Sequence, residues 1–276
     1  MRSARFEVAN LSDTGQKRPH NEDSAVTDAS IGLAIVADGM GGYKAGEVAS
    51  AIAAQMILDE VASAVREGLD ETGKTRSGPS HAALVLRDAV HHANSEVYRT
   101  AQEVPQCQGM GTTVVVVLYQ ERTVSIAHVG DSRVYRLHGD EFEQVTRDHS
   151  LIQELIDRGF FTPEEAAENT PRNLVTRALG IELDVEVDVQ ELEARPGEIY
   201  LLCSDGLNDM VDDEEIHLTL SKYSANLAEA ASELVRLAND KGGKDNISVV
   251  LVRALAAAPQ SPGILAKLNG LFKKGS

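Results

Sequence analysis

Tryptophan is missing from this sequence, and phenylalanine and tyrosine make up 4% of it, so a core must be built from aliphatic side chains. Cysteine occurs twice. Cys107 and Cys203 lie far apart, and Cys203 falls inside an apolar run over 199–203, where a small buried side chain is expected; this argues against a disulfide and against a thiolate metal site. Apolar runs such as 33–37 and 114–119 fall far short of the ~20 residues of a membrane span, and the first residues lack the apolar centre of a signal peptide. The expectation is a cytoplasmic protein with no membrane partner. Positive charge is scarce, with 26 Lys and Arg against 43 Asp and Glu, a formal charge of −17. Such a surface is repelled by a phosphate backbone, which excludes nucleic acid as a partner. Finally, no Gly-Lys-Ser or Gly-Lys-Thr follows the glycine-rich segment 39–42, and Gly243-Lys244 runs into Asp245, so a nucleotide-binding P-loop is excluded.

What the chain does contain is organised around residues 31–42. A nearly continuous apolar run, the pattern of a strand covered on both faces, stops at Asp38, and Gly39, Gly41 and Gly42 follow at once. Glycine lets backbone approach whatever Asp38 holds, and the helical pattern from Ala45 onward aims a helix N-terminus back at the site. Such a juxtaposition suits a metal ion or a phosphate.

The 276 residues fit one large domain. Periodicity predicts an opening strand over 5–10, a polar loop over 13–23, and long helices over 46–66 and 81–103, the second capped by Ser80. A polar surface loop over 70–80 joins them. β-Branched runs predict hairpins over 112–119 with 122–129 and over 134–137 with 142–145. Residues 148–180 are polar and helical and broken at Pro163 and Pro171, an insertion beside the sheet. Strands are expected at 185–192, 198–203 and 247–253, and two helices within 212–241 broken near Ser224. The Pro- and Ala-containing stretch from 254 leads to a short amphipathic tail.

Asp38, Asp131, Asp205 and Asp245 are far apart in sequence, yet each stands where a strand meets a glycine-containing turn. Strands packed side by side would bring these ends to one edge. Carboxylates that close repel one another unless cations sit among them, which points to a metal centre. Oxygen donors without Cys or His-rich spacing favour magnesium or manganese. Two such ions acidify a water and hold the oxygens of an in-line displacement at phosphorus, and Arg18 is suited to grip two phosphate oxygens.

Six blocks then occur in order: Arg18-Pro19-His20-Asn21-Glu22-Asp23, Asp38-Gly39-Met40-Gly41-Gly42, Gly111-Thr112-Thr113, Gly130-Asp131-Ser132-Arg133, Ser204-Asp205-Gly206-Leu207 and Asp245-Asn246. Together they resemble the signature of the metal-dependent (PPM, type 2C) serine/threonine protein phosphatases. Residues 146–150 and 176–180 are similar to the bacterial branch. The resemblance implies an α+β fold, a central β-sandwich of two antiparallel sheets flanked by α-helices on both sides, with a helical flap insertion. It implies a phosphatase domain over 1–255, with the flap at about 148–180, and a linker and tail over 256–276. It also implies hydrolysis of phosphoserine and phosphothreonine by water activated between two Mn2+ or Mg2+ ions, opposing a Ser/Thr kinase, in a monomer that acts on phosphorylated proteins, the kinase and its substrates among them. By the same resemblance Asp38 bridges the ions, Gly39 lends its carbonyl, Asp205 and Asp245 complete one shell, and Glu22 and Asp23 act through waters. Arg18 binds the substrate phosphate, Asp131 with Asp205 holds a third ion, and Asp148, His149 and Arg177 belong to the flap. Met40 stands where animal and plant members carry histidine, and Asn169-Thr170-Pro171 where relatives often have histidine before the proline. The other function in play is a catalytically silent phosphopeptide-binding module, which would have lost a metal carboxylate; none of those expected is missing.

Overall fold

The computed structural model describes residues 6–42, 45–69, 78–120, 122–171 and 174–255. The tail over 256–276, most of the 70–80 loop and the Glu121 turn position lie outside the described residues.

Two antiparallel sheets face each other. The first carries β1 (Phe6–Asp13), β11 (Ile247–Ala254), β10 (Ile199–Cys203), β7 (Arg133–His138) and β8 (Glu141–Gln144), in that spatial order. The second carries β2 (Asp23–Asp28), β3 (Leu33–Met40), β5 (Val114–Tyr119), β6 (Thr123–Val129) and β9 (Asp188–Glu193), with the two-residue β4 (Gly111–Thr112) extending β3. Helices α1 (Ala45–Arg66) and α2 (His81–Glu103) cover the second sheet, while α5 (Asp205–Asn208), α6 (Asp213–Tyr223) and α7 (Leu227–Asp240) cover the first. The flap contributes α3 (Leu151–Asp157) and α4 (Pro163–Asn169).

These four layers explain the continuous apolar runs. In β3, Leu33, Ile35 and Ala37 pack under α1 and α2, whereas Ala34 and Val36 point between the sheets. β5 repeats this division, with Val114, Val116 and Leu118 toward the helices and Val115, Val117 and Tyr119 toward the other sheet. A strand buried on both faces has no polar alternation to show. Cys203 is buried under α5–α7 and is a free thiol, as is Cys107.

Among the described residues α1 is long and apolar enough to cross a bilayer. Its alanines instead answer to packing: Ala49, Ala53, Ile57 and Val61 recur at helical spacing and are buried on β3 and α2.

The structure differs from the sequence reading in several places. β2 falls where no strand is predicted; it pairs only with β3, and its half-buried sequence Asp-Ser-Ala-Val-Thr-Asp carries little apolar signal. β3 does not end at Asp38 but runs on to Met40, because Gly39 and Met40 pair with Thr112 and Gly111. Pro163 starts α4 rather than breaking a helix: it sits in the first turn behind a Thr162–Glu165 capping box. β9 begins at Asp188, three residues later than expected.

The chain returning from the flap is fastened to α2 by one side chain. Asn94, 1% exposed, accepts from Gly180 N (2.8 Å) and donates to the carbonyls of Glu182 and Leu183 (both 3.1 Å). Asn94→Ala strands these groups and is expected to cost about 1–3 kcal/mol. Urea denaturation should show the lowered midpoint, and hydrogen exchange should quicken first at 180–183; an unchanged midpoint would refute the role.

Candidate active site

One end of the sandwich opens into a cleft of about 350 Å3 lined by Arg18, Glu22, Asp38, Gly39, Asp131, Asp205 and Asp245, among others. Asp38 is placed by hydrogen bonds to its main chain. Its carbonyl accepts from Thr113 N (2.9 Å) and Thr112 Oγ1 (2.8 Å), and its N–H donates to Thr113 Oγ1 (3.2 Å). Thr113 Oγ1 also meets Ser132 Oγ at 2.7 Å, which ties the Asp38 strand to the Asp131 turn. Opposite Asp38 in the β2–β3 register stands Asp23, whose Oδ2 accepts from Ser204 Oγ (2.7 Å), the residue just before Asp205.

Asp205 opens α5 directly after β10. Gly206 lets the Asp245–Asn246 backbone come close; a Cβ there would lie 2.0 Å from Asn246 O. Gly39 does the same for α1, since its Cβ would fall 2.1 Å from Gly46 O. Asn246, 5% exposed, holds the 14–22 loop: it accepts from Glu22 N (2.8 Å) and donates to Thr14 O and His20 O (2.9 Å each).

The electrostatics are those of crowded, buried acids. Asp38 and Asp205 are held well above the ordinary carboxylate range, first by burial and then by repulsion from neighbouring carboxylates. Burial pushes Asp23 and Asp131 to about 6 and raises Glu22. Among the described residues Arg18 is the only Lys or Arg lining the cleft, and its Nη2 lies 2.6 Å from Asp245 Oδ2. Among the described residues at this site, two buried carboxylate oxygens, Asp23 Oδ1 and Asp205 Oδ1, have no hydrogen-bond partner. Unpaired buried oxygens on acids that repel one another fit a site for hard divalent cations.

The profile of the Protein phosphatase 2C family matches residues 16–248. The chain belongs to that family. It is 36% identical over 251 residues to protein phosphatase PhpP of Streptococcus pneumoniae, covering 90% of this chain and 97% of that protein. It is 41% identical over 242 residues to serine/threonine protein phosphatase PstP of Mycobacterium tuberculosis, covering 87% of this chain and 43% of the relative. The solved catalytic domain of PstP in complex with two manganese ions superposes with a TM-score of 0.74 at 38% identity, covering 91% of this chain and 99% of that one. The reaction of this phosphatase 2C chain is the metal-dependent dephosphorylation of phosphoserine and phosphothreonine.

Of the residues singled out from the sequence, Arg18, Glu22, Asp38, Gly39, Asp131, Asp205 and Asp245 line the cleft, and Asp23 lies beside Asp38. The three flap residues do not line it. Asp148 accepts a forked pair from Arg133 (2.7–3.1 Å). His149 Nδ1 accepts from Gly130 N (3.0 Å), and Arg177 Nη1 donates to Asp188 Oδ1 (2.8 Å). His128, His149 and Asp188 offer atoms within 4.8 Å of one another, as a metal site would, but the Arg177 guanidinium already supplies the cation there, 3.0 Å from His149 Nε2. These contacts clamp the base of the flap to the second sheet and to β7. Ser204, Ser248 and Asn246 support the acids; Ser204 and Asn246 fall inside two of the signature blocks but with no role given to them, and Ser248 carries only the signal of a polar residue inside an apolar strand.

The acids give the cleft a pH signature. Their native values lie above the unfolded value near 3.8, so the metal-free native chain takes up protons, and gains stability, as pH falls through 6 toward 4. Cations need those same oxygens deprotonated. The rise in melting temperature produced by Mn2+ should therefore shrink between pH 7 and pH 5, measured against chelator-treated protein; a shift that stays constant over that window would contradict the assignment.

Proposed function

We propose that Asp38, Asp205 and Asp245, with the Gly39 carbonyl, hold two Mn2+ or Mg2+ ions, that Glu22 and Asp23 act through ordered waters, and that Asp131 with Asp205 holds a third ion. The observation that carries this reading is the pair of partnerless buried oxygens on Asp23 and Asp205 inside a cleft of mutually repelling acids. Divalent ions bound there supply an acidified water and offset charge building on the phosphoryl oxygens.

The protein's own groups do the rest. Arg18, half exposed at the rim, offers a guanidinium fork to two oxygens of the phosphate, fixing the ester for in-line attack. In the structure that fork is turned onto Asp245. Thr112, Thr113 and Ser132 keep Asp38 and Asp131 in place as the charge around them changes. Met40, at the cleft wall, neither donates nor accepts a proton, so it supplies no general acid for the leaving oxygen.

The chain acts on phosphorylated proteins. We place it in the cytoplasm as a monomer with one phosphatase domain over residues 1–255, reversing the work of a Ser/Thr kinase. Purified protein is stripped with chelator, titrated with Mn2+ and Mg2+, and assayed on an aryl phosphate and a phosphothreonine peptide. Asp38→Asn should lower kcat by about 10^3-fold or more, and near-normal turnover would overturn its bridging role. Arg18→Ala should lower kcat/KM by about 10–100-fold, the worth of hydrogen bonds to a charged group, with metal affinity retained.

A further inference from the structure

A second cavity, about 610 Å3, opens on the far side of Asp131 and Asp205, which line both it and the active-site cleft. One wall is apolar and belongs to the flap: Ile152 and Ile156 of α3, and Pro163 at the start of α4. α3 buries none of its residues fully, so these side chains are half exposed toward the groove. The opposite wall is acidic, formed by Asp209, Asp213 and Glu214 at the α5–α6 junction. Among the described residues Arg133 is the only Lys or Arg lining the cavity; it pairs with Asp148 at 2.7 Å and lies 3.9 Å from Asp213, whose Oδ1 also accepts from the Tyr135 hydroxyl (2.9 Å).

An aliphatic wall facing an acidic one matches the two parts of an arginine or lysine side chain, a stem that packs on apolar surface and a cationic head. We infer that this groove receives basic side chains flanking the phosphorylated residue, so that the substrates are phosphoproteins with arginine or lysine beside the phosphosite. The inference rests on the phosphatase reading above. It follows from continuity: a chain whose phosphate sits at Arg18 and Asp38 has the groove as its exit past Asp131 and Asp205.

The test uses the full chain with Mn2+ and matched phosphothreonine peptides carrying two arginines on the N-terminal side, two on the C-terminal side, or alanine or glutamate in the same places. At least one arginine peptide should exceed its alanine counterpart about tenfold in kcat/KM, mainly through KM, with the glutamate peptides below both. In the double variant Asp213→Asn/Glu214→Lys the arginine-to-alanine ratio should fall to about one and the glutamate peptides should gain. Both positions are exposed on the first turn of α6, and circular dichroism verifies the fold. Equal kcat/KM across the peptides, or an arginine preference that the double variant leaves intact, overturns the groove while the phosphatase reading stands. If no peptide is hydrolysed with any divalent ion, the phosphatase reading fails and the groove falls with it.

Discussion

The structure depends on keeping acids together that repel one another. Asp38, Asp23, Asp205 and Asp131 are buried at one end of the sandwich, and burial and mutual repulsion both raise the cost of their charges. A flexible scaffold would relax by moving them apart. Here the relaxation is blocked because each acid leaves a strand whose main chain is paired, and the turns are locked to one another by short hydroxyl contacts such as Thr113–Ser132 and Ser204–Asp23. The repulsion is thus stored as an affinity for cations.

This constraint accounts for the distribution of small residues. Gly39 and Gly206 are needed where a second backbone runs within contact of the acid-bearing turn, and any side chain would drive the two apart. The alanine-rich face of α1 serves the same purpose on a larger scale, letting the helix settle close on β3 so that its N-terminus abuts Gly39. Glu22, with a carboxylate oxygen 2.7 Å from where a Gly46 side chain would begin, then lies at the positive end of α1.

Much of this was legible in the sequence because two-sided burial leaves a plain mark: the valine run of β5 and the Ile199–Cys203 run of β10 could be little else than strands inside a packed core. Helix α2 was equally plain, since Ser80 caps it and its apolar positions keep one period. The acids of the cleft were legible through their neighbours, an aspartate beside glycine at a strand end, repeated in separate parts of the chain. β2 was not, because an edge strand half open to solvent needs no periodic apolar residues. Nor was Ser248, or the supporting role of Asn246 and Ser204 within their blocks: that work is done by hydrogen bonds to segments distant in sequence.

The flap shows how one insertion is both fixed and loose. Its ends are zipped together, with Ser150 bridged to Val175 and Leu151 N bonded to Leu174 O (2.9 Å), and its base is held by the Arg133–Asp148 and Arg177–Asp188 pairs. Between those anchors, among the described side chains of α3 and α4, Ala166 is the fully buried apolar one. Local stability follows buried apolar contact, so opening of this segment costs less than opening of the sandwich beneath it. Its fixed base keeps the Gly130–Asp131 turn in register with the cleft through His149, and its lightly packed helices place an apolar wall on the adjoining groove. If the groove receives substrate as proposed, chemistry and recognition fall to parts of different stiffness, and sequence variation in α3 and α4 would alter what enters the site without disturbing the acids.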